Sequence, residues 1–152
     1  MNARANHLVL ELNCVLSAPQ ERIFRAFVEP GELANWWGPH GFTTPEIDLD
    51  LRVGGVYRFA MQPPDGDLFH LTGEFLEIEP PSRLVYTFSW EEPDPDDRMT
   101  VASLSLDDVG DATKLSLSQG AFATEARVSL HRSGWTDSFD KLRALVESGA
   151  HR

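Results

Sequence analysis

Basic residues and cysteine are scarce in this sequence of 152 residues. Thirteen lysines and arginines stand against 24 aspartates and glutamates, which gives a formal net charge of −11. A field of that sign repels the phosphates of nucleic acids and anionic lipid surfaces, so we expect no nucleic-acid partner. The single cysteine, Cys14, excludes an intrachain disulfide and a thiolate metal cluster, and it fits a reducing compartment.

Long apolar runs are also missing. No stretch approaches the roughly 18–20 apolar residues that span a bilayer. The first residues, MNARANHLVLELN, lack the apolar segment and small-residue cleavage site of a secretory signal. We therefore predict a cytoplasmic protein that does not insert into a membrane. The length and the absence of repeats favour one domain over residues 1–152, with a core over about 8–148.

Sequence signatures of common catalytic and metal sites are absent as well. There is no H-E-x-x-H, G-x-S-x-G or P-loop pattern, and the five histidines at 7, 40, 70, 131 and 151 lack local ligand spacing. A site assembled from distant residues stays open. We predict no metal and no cofactor, and we assign no catalytic residue.

The densest charge run is EEPDPDD, at residues 91–97. It contains two prolines and lacks the regular oxygen-ligand spacing of a calcium loop. This composition favours a solvated loop between two strands over a cation site.

Hydrophobic periodicity near the N-terminus predicts a strand and two helices. HLVLELNCVLSA, at 7–18, alternates as a strand does. Ser17 followed by Gln20 is the pattern of a capping box, so we expect a helix over about 18–29. A second short helix over ELANWW should end at Gly38-Pro39, because proline disfavours helical geometry in the residue before it.

From about residue 43 the apolar residues recur at every second position. Six segments predict consecutive antiparallel strands: 43–53, 54–62, 68–79, 83–90, 99–107 and 113–120. Their connections are too short for crossover helices, so the strands should form a meander. Residues 124–148 return to helical spacing, with Thr124 as N-cap and Gly149 as the stop.

This order of elements predicts an α+β fold. A curved antiparallel sheet should wrap around the long C-terminal helix, with two short helices after the first strand. The space between sheet and helix would form a cavity lined mainly by aromatic side chains. The expected lining is Trp36, Trp37, Phe42, Tyr57, Phe59, Tyr86, Phe88, Trp90, Gln119, His131, Trp135 and Phe139. A few polar groups in an apolar lining are typical of small-molecule pockets, although the same residues could form a solid core.

Some side-chain directions follow from alternation alone. The expected inward sets of the last two strands are Val101 with Ser103, and Leu115 with Leu117 and Gln119. His70 could point either way, because Gly73 is compatible with a bulge. Gly134, inside the long helix, is compatible with close approach of another backbone.

The segment NWWGPHGF, at 35–42, holds two of the four tryptophans. We expect one of Trp36 and Trp37 to pack inward and its neighbour, about 100° around the helix, to meet the rim of the cavity. Residues 38–41 would then form a mobile edge, with Phe42 as a plug. The alternative is that both tryptophans only anchor the short helix.

Four segments together resemble the AHSA1 family, named for the activator of Hsp90 ATPase. They are SAPQERIFRAFVEPGELANWWGP, DLRVGGVYRF, GEFLEIEPPSRLVYTF and GWTDSFDKLRAL, and the resemblance runs from about residue 9 to 147. It implies the helix-grip fold of the START-like (SRPBCC, Bet v 1-like) superfamily. It also implies a deep apolar cavity, which the superfamily uses for lipids, sterols, polyketides and plant hormones.

Two departures limit what the resemblance implies. Relatives often have histidine at the position of Gln119, so no role that needs an ionisable group is expected there. The chain resembles only the C-terminal domain of eukaryotic Hsp90 activators, so the resemblance does not imply chaperone activation.

We therefore predict that the protein binds an unidentified small hydrophobic molecule in the cavity. The first alternative is a cyclase-like or hydrolytic enzyme that uses Tyr57, Tyr86 or His131 in the same cavity. The second is a protein-interaction or co-chaperone-type module. A homodimer is left open.

Overall fold

The computed structural model describes residues 8–148. The elements follow the predicted order: β1 (Leu10–Leu16), α1 (Gln20–Val28), α2 (Pro30–Leu33), β2 (Thr43–Leu49), β3 (Val56–Gln62), β4 (Phe69–Glu79), β5 (Arg83–Trp90), β6 (Thr100–Asp108), β7 (Thr113–Gly120) and α3 (Glu125–Ser148). The predicted α+β helix-grip fold is confirmed. The stop expected at Gly149, together with His7 and His151, lies outside the described residues.

The seven strands form one antiparallel sheet in the order β1-β7-β6-β5-β4-β3-β2. Strands β2 to β7 are the predicted meander, and β1 adds beside β7 with Leu12 opposite Leu117. Helix α3 turns its apolar side to the sheet and buries Val128, Trp135, Phe139, Leu142 and Val146. The backbone N–H of Arg127 donates to Thr124 Oγ1 at 3.1 Å, which confirms the predicted N-cap of α3.

The start of α1 differs from the predicted capping box. Pro19, with extended backbone, is the N-cap and supplies no side-chain hydrogen bond. The Gln20 side chain instead donates to the carbonyl of Leu106 at 2.7 Å, and the backbone N–H of Ser17 donates to Glu147 Oε2 at 2.8 Å. The prediction was wrong because long-range partners engage both residues.

The second helix is shorter and begins earlier than predicted. Helix α2 spans Pro30–Leu33, and proline at its first position has the φ angle that a helix start requires. Trp36 and Trp37 lie in the following turn, where both backbone N–H groups donate to the carbonyl of Leu33, at 3.2 and 3.0 Å. The tryptophan pair is therefore held by a turn, and the 100° helical offset does not set its geometry.

The inward faces of β3, β5 and β7 agree with alternation, but the face predicted for β6 was wrong. Val101 is 37% exposed, whereas Ala102, Leu104 and Leu106 are buried. The register explains this, because Ala102 lies opposite Gln119, whose side chain points inward. Over residues 101–106, both faces of β6 have only apolar or small side chains. Alternation therefore does not identify the inward face, and the prediction selected the wrong one.

Gly73 is not at a bulge. The register shift in β4 lies between Phe75 and Glu77. A Cβ atom at Gly73 would overlap the carbonyl of Thr87 and the ring of Tyr57, whose hydroxyl donates to that carbonyl at 2.7 Å. Gly73 therefore permits a close approach between strands.

His70 lies on the opposite face from the buried Leu71. It is half-buried, and its Nδ1 lies 2.9 Å from Glu92 Oε2. The ambiguity in its direction is thereby resolved: His70 points away from the core.

No close backbone approach explains Gly134. A Cβ atom there would have only Pro39 Cγ nearby, at 3.7 Å, which is ordinary van der Waals contact. The expectation that another backbone packs against this glycine was wrong.

Candidate ligand cavity

A cavity of about 360 Å³ lies between α3 and the sheet and opens to the surface. Its volume falls in the range of small-molecule pockets. Most of its wall is apolar and aromatic. The apolar lining consists of Trp37, Pro39, Phe42, Met61, Phe69, Phe88, Trp90, Leu130, Gly134 and Trp135.

Charged side chains mark the solvent side of the cavity. Glu92, Asp94, Asp97 and Arg127 belong to its lining. Arg127, on α3, lies 3.1 Å from a carboxylate oxygen of Asp94 and 3.5 Å from one of Asp97. The acidic run is a largely exposed loop between β5 and β6, as predicted, and these ion pairs place it at the opening.

The neighbouring carboxylates of this run are paired as well. Glu91 accepts two hydrogen bonds from Arg58, at 2.7 and 2.8 Å, and these bonds hold the pKa of Glu91 below its ordinary value. Glu92 accepts hydrogen bonds from the ring and backbone N–H of His70, and its pKa is lowered for the same reason. Both groups are therefore ionised at neutral pH, and the opening has negative charge.

The loop at 38–42 is bound to α3 by three hydrogen bonds. The backbone N–H of Gly38 donates to Ser138 Oγ at 3.1 Å, and that of His40 donates to Asp137 Oδ2 at 3.2 Å. Lys141 Nζ donates to the carbonyl of Pro39 at 3.3 Å. These bonds anchor the segment that the sequence suggested as a mobile edge.

The two adjacent tryptophans have different environments. Trp36 is fully buried, and its indole N–H donates to the carbonyl of Ala26 at 2.9 Å. Trp37 lines the cavity, with its ring centroid 5.1 Å from that of Phe59 and 5.2 Å from that of Trp135. Trp36 is thus part of the core, and Trp37 is part of the cavity wall at 6% exposure, which is too buried for a rim position.

Buried polar groups behind the wall satisfy one another. Trp135 Nε1 donates to Gln119 Oε1 at 2.7 Å, and Gln119 Nε2 donates to Thr100 Oγ1 at 2.9 Å. Gln119 is completely buried. Its amide therefore joins α3 to the sheet from behind the cavity.

His131 has a defined protonation state. Its Nδ1 lies 2.8 Å from the carbonyl of Arg127, and because a carbonyl only accepts, Nδ1 must hold the proton. Its Nε2 accepts from the indole N–H of Trp90 at 3.2 Å, which requires a free lone pair. Burial lowers the pKa of His131, so the neutral tautomer is the stable form. Both ring nitrogens are engaged, which leaves neither free as a general base.

Acidification should therefore destabilise the protein through His131. The pKa of this ring is lower when folded than when unfolded, so the unfolded state takes up the proton first as pH falls. We therefore expect the free energy of unfolding to decrease as the pH falls below about 6.5, the ordinary pKa of histidine. Urea denaturation between pH 7.5 and 5.0 measures this slope, and His131→Gln should flatten it. An unchanged slope in the variant would contradict the assignment.

The structure divides the twelve predicted cavity residues into two sets. Six of them line the cavity: Trp37, Phe42, Phe88, Trp90, His131 and Trp135. The other six, Trp36, Tyr57, Phe59, Tyr86, Gln119 and Phe139, are buried and are not part of its lining. Two contacts account for part of this division: the Trp37 ring packs against Phe59, and the Trp135 indole is hydrogen-bonded to Gln119.

Tyr57, Phe59 and Tyr86 border a separate void of about 10 Å³, and Trp37 belongs to the lining of both spaces. Burial raises the pKa of both tyrosines, so both are protonated. The Tyr86 hydroxyl has no hydrogen-bond partner among the described residues.

Sequence reasoning missed several lining residues. Alternation places Met61 on the same face of β3 as Tyr57 and Phe59, but the predicted lining did not include it. Phe69 precedes the ambiguous His70, and its inward direction required the register of β4. No sequence pattern identified Arg127 and Ser138 as lining residues, because their position at the cavity depends on how α3 packs on the sheet.

Other reactive groups lie outside the cavity or at its edge. Burial raises the pKa of the Cys14 thiol, which keeps it protonated and weakly nucleophilic. Two surface groups bring three ligand-type atoms within 4.8 Å of one another; they are His40 with Asp137 and Asp140, and His70 with Glu91 and Glu92. Both were invisible in the sequence, because each joins residues that are distant along the chain.

A family model and several solved structures match this chain over most of its length. A family model described as "Activator of Hsp90 ATPase homolog 1-like protein" (AHSA1) matches residues 17–147. Protein CV1439 from Chromobacterium violaceum, a crystal structure, is 31% identical with a TM-score of 0.85, and the match covers 92% of this chain and 97% of that one. A search of curated proteins finds no match.

Two further crystal structures are each 25% identical. Protein NE0264 from Nitrosomonas europaea has a TM-score of 0.81, with 96% of this chain and 98% of that chain covered. The AHSA1 (SPO3351) protein from Silicibacter pomeroyi has a TM-score of 0.78, with 95% and 99% covered. Within residues 8–148, no helix has both the length and the apolar character needed to cross a membrane.

Proposed function

The chain belongs to the AHSA1 family, and we propose that it binds a small, mainly apolar molecule in the cavity between α3 and the sheet. The observation that carries this proposal is the cavity itself, about 360 Å³ of space with an aromatic wall and an opening to the surface. An apolar ligand would remove that wall from water, and each Å² of apolar surface buried favours binding by a free energy of roughly 25 cal/mol. A cytoplasmic location, supported by the single half-buried Cys14, belongs to the same proposal.

The polar groups of the wall support an apolar ligand. The indole N–H groups of Trp90 and Trp135 donate to His131 and Gln119. Ser138 Oγ donates to the carbonyl of Gly134 at 2.9 Å and accepts from Gly38. Because these three side chains are hydrogen-bonded within the protein, an apolar ligand would leave none of the three unpaired.

The enzyme alternative has less support. Both ring nitrogens of His131 are hydrogen-bonded within the protein, and the Tyr57 hydroxyl donates to the carbonyl of Thr87. Tyr86 borders the separate small void. None of the three polar side chains suggested for proton transfer is thus a free group in the cavity.

A variant that fills the cavity tests the proposal. Gly134 lines the cavity and has space for a Cβ atom, so leucine there should occupy the cavity. Leucine also favours a helix by about 1 kcal/mol over glycine, so the fold should persist. Ser133→Leu adds the same side chain at the preceding position, which is exposed, and is the matched control.

The probe is N-phenyl-1-naphthylamine, an uncharged dye whose fluorescence rises in apolar surroundings. We expect binding at one molecule per chain to wild type and to Ser133→Leu, and at least about tenfold weaker binding to Gly134→Leu. Equal binding to both variants would place the dye elsewhere, and no binding to wild type would contradict the proposed function.

A further inference from the structure

Three of the four tryptophans donate their indole N–H to a partner within the protein. Trp36 donates to Ala26, Trp90 to His131 and Trp135 to Gln119. Among residues 8–148, the Trp37 side chain has no hydrogen-bond acceptor. Trp37 is 6% exposed and lines the cavity. Because no group of the protein accepts from it, the Trp37 indole N–H is available to donate a hydrogen bond to an acceptor atom on a ligand.

The charges at the opening disfavour an anion. Glu92, Asp94 and Asp97 line that side, and the guanidinium of Arg127 already contacts two of these carboxylates. Deeper in the cavity, the described lining contains no cation, because His131 is held neutral. A carboxylate on the ligand would therefore meet like charge at the opening or lose its hydration inside without compensation.

We propose that the ligand is an uncharged apolar ring compound with an acceptor oxygen, such as a ketone or ether, that receives a hydrogen bond from the Trp37 indole N–H. This inference rests on the proposed function and specifies the chemistry of its ligand. It places the polar atom of the ligand at the wall formed by Trp37, and the apolar body against the remaining rings. It excludes fatty acids and other carboxylates as preferred ligands.

Three naphthalenes of similar size test the proposal by displacing N-phenyl-1-naphthylamine at pH 7.5. The ketone is 2-acetylnaphthalene, the hydrocarbon without an acceptor is 2-ethylnaphthalene, and the anion is 2-naphthoate. We expect the ketone to bind about 3- to 10-fold more tightly than the hydrocarbon, which corresponds to one neutral hydrogen bond. The anion should bind at least about tenfold more weakly than the ketone.

Two conservative variants identify the donor. Trp37→Phe keeps an aromatic ring but removes the N–H, so it should abolish the preference for ketone over hydrocarbon. Tyr86→Phe removes the other unpartnered donor, which borders the separate void, and should leave the preference intact.

Several results would overturn the proposal. Equal affinity for ketone and hydrocarbon would remove the acceptor requirement while leaving the proposed function intact. Loss of the preference in Tyr86→Phe would assign the donor to the inner void. Naphthoate binding that matches the ketone and is lost in Arg127→Gln would make Arg127 an anion receptor. Failure of all three compounds to displace a bound dye would also overturn it, although dye binding would still support an apolar pocket.

Discussion

Replacing Trp36 with alanine should lower the free energy of unfolding by about 3–5 kcal/mol, as for other fully buried large aromatic residues. Trp36 is 0% exposed, and its ring centroid lies 4.7 Å from that of Phe27. Its indole N–H also satisfies the carbonyl of Ala26, whose helical partner four residues later would be Pro30, which has no N–H. Such a loss is a large part of the 5–15 kcal/mol by which domains are usually stable.

Matched phenylalanine variants separate the two adjacent tryptophans. Trp36→Phe leaves the Ala26 carbonyl without its donor and should destabilise the protein by about 1–3 kcal/mol. Trp37→Phe breaks no hydrogen bond among the described residues and should have a smaller effect on stability. Guanidinium denaturation of both variants measures the difference. Equal losses, or a larger loss at Trp37, would contradict the assignment of Trp36 to the core and Trp37 to the cavity wall.

This contrast illustrates the extent of sequence-based prediction. Period-two alternation and the helical spacing of residues 124–148 predict the elements and their order, because short connections leave only a meander. The prediction placed one tryptophan inward and its neighbour at the rim of the cavity; Trp36 is inward, but Trp37, at 6% exposure, is not at the rim. The donor to the Ala26 carbonyl and the turn after α2 depend on how α1 and α2 meet, which no local pattern specifies.

The position of the cavity, between the sheet and α3, was predictable from the sequence, but its lining residues were predictable only in part. Alternation identifies inward side chains, and six of the twelve predicted residues line the space. Depth along a strand is a tertiary property: Tyr57 and Phe59 share a face with Met61, yet only Met61 reaches the cavity. Pairs such as Trp90 with His131 are 41 residues apart, so their hydrogen bonds could not be inferred from spacing.

Gln119 gives the second large expected effect. Gln119→Leu should lower the free energy of unfolding by about 2–4 kcal/mol, although leucine is of similar size and more apolar. The variant would leave the indole N–H of Trp135 without an acceptor and remove the hydrogen bond to Thr100 Oγ1. Urea denaturation measures the loss. A neutral or stabilising effect would show that the amide contributes little.

A double-mutant cycle tests whether the loss arises at the Trp135 indole. Trp135→Phe alone removes the donor to Gln119 Oε1 and leaves that oxygen buried. When both partners are replaced, no unpaired group remains between them, so the double variant should be more stable than the sum of the single effects predicts, by about 1–2 kcal/mol. Strict additivity would mean that Gln119 acts through Thr100 alone. Non-additivity would identify the amide as the polar link that holds the Trp135 ring in the cavity wall.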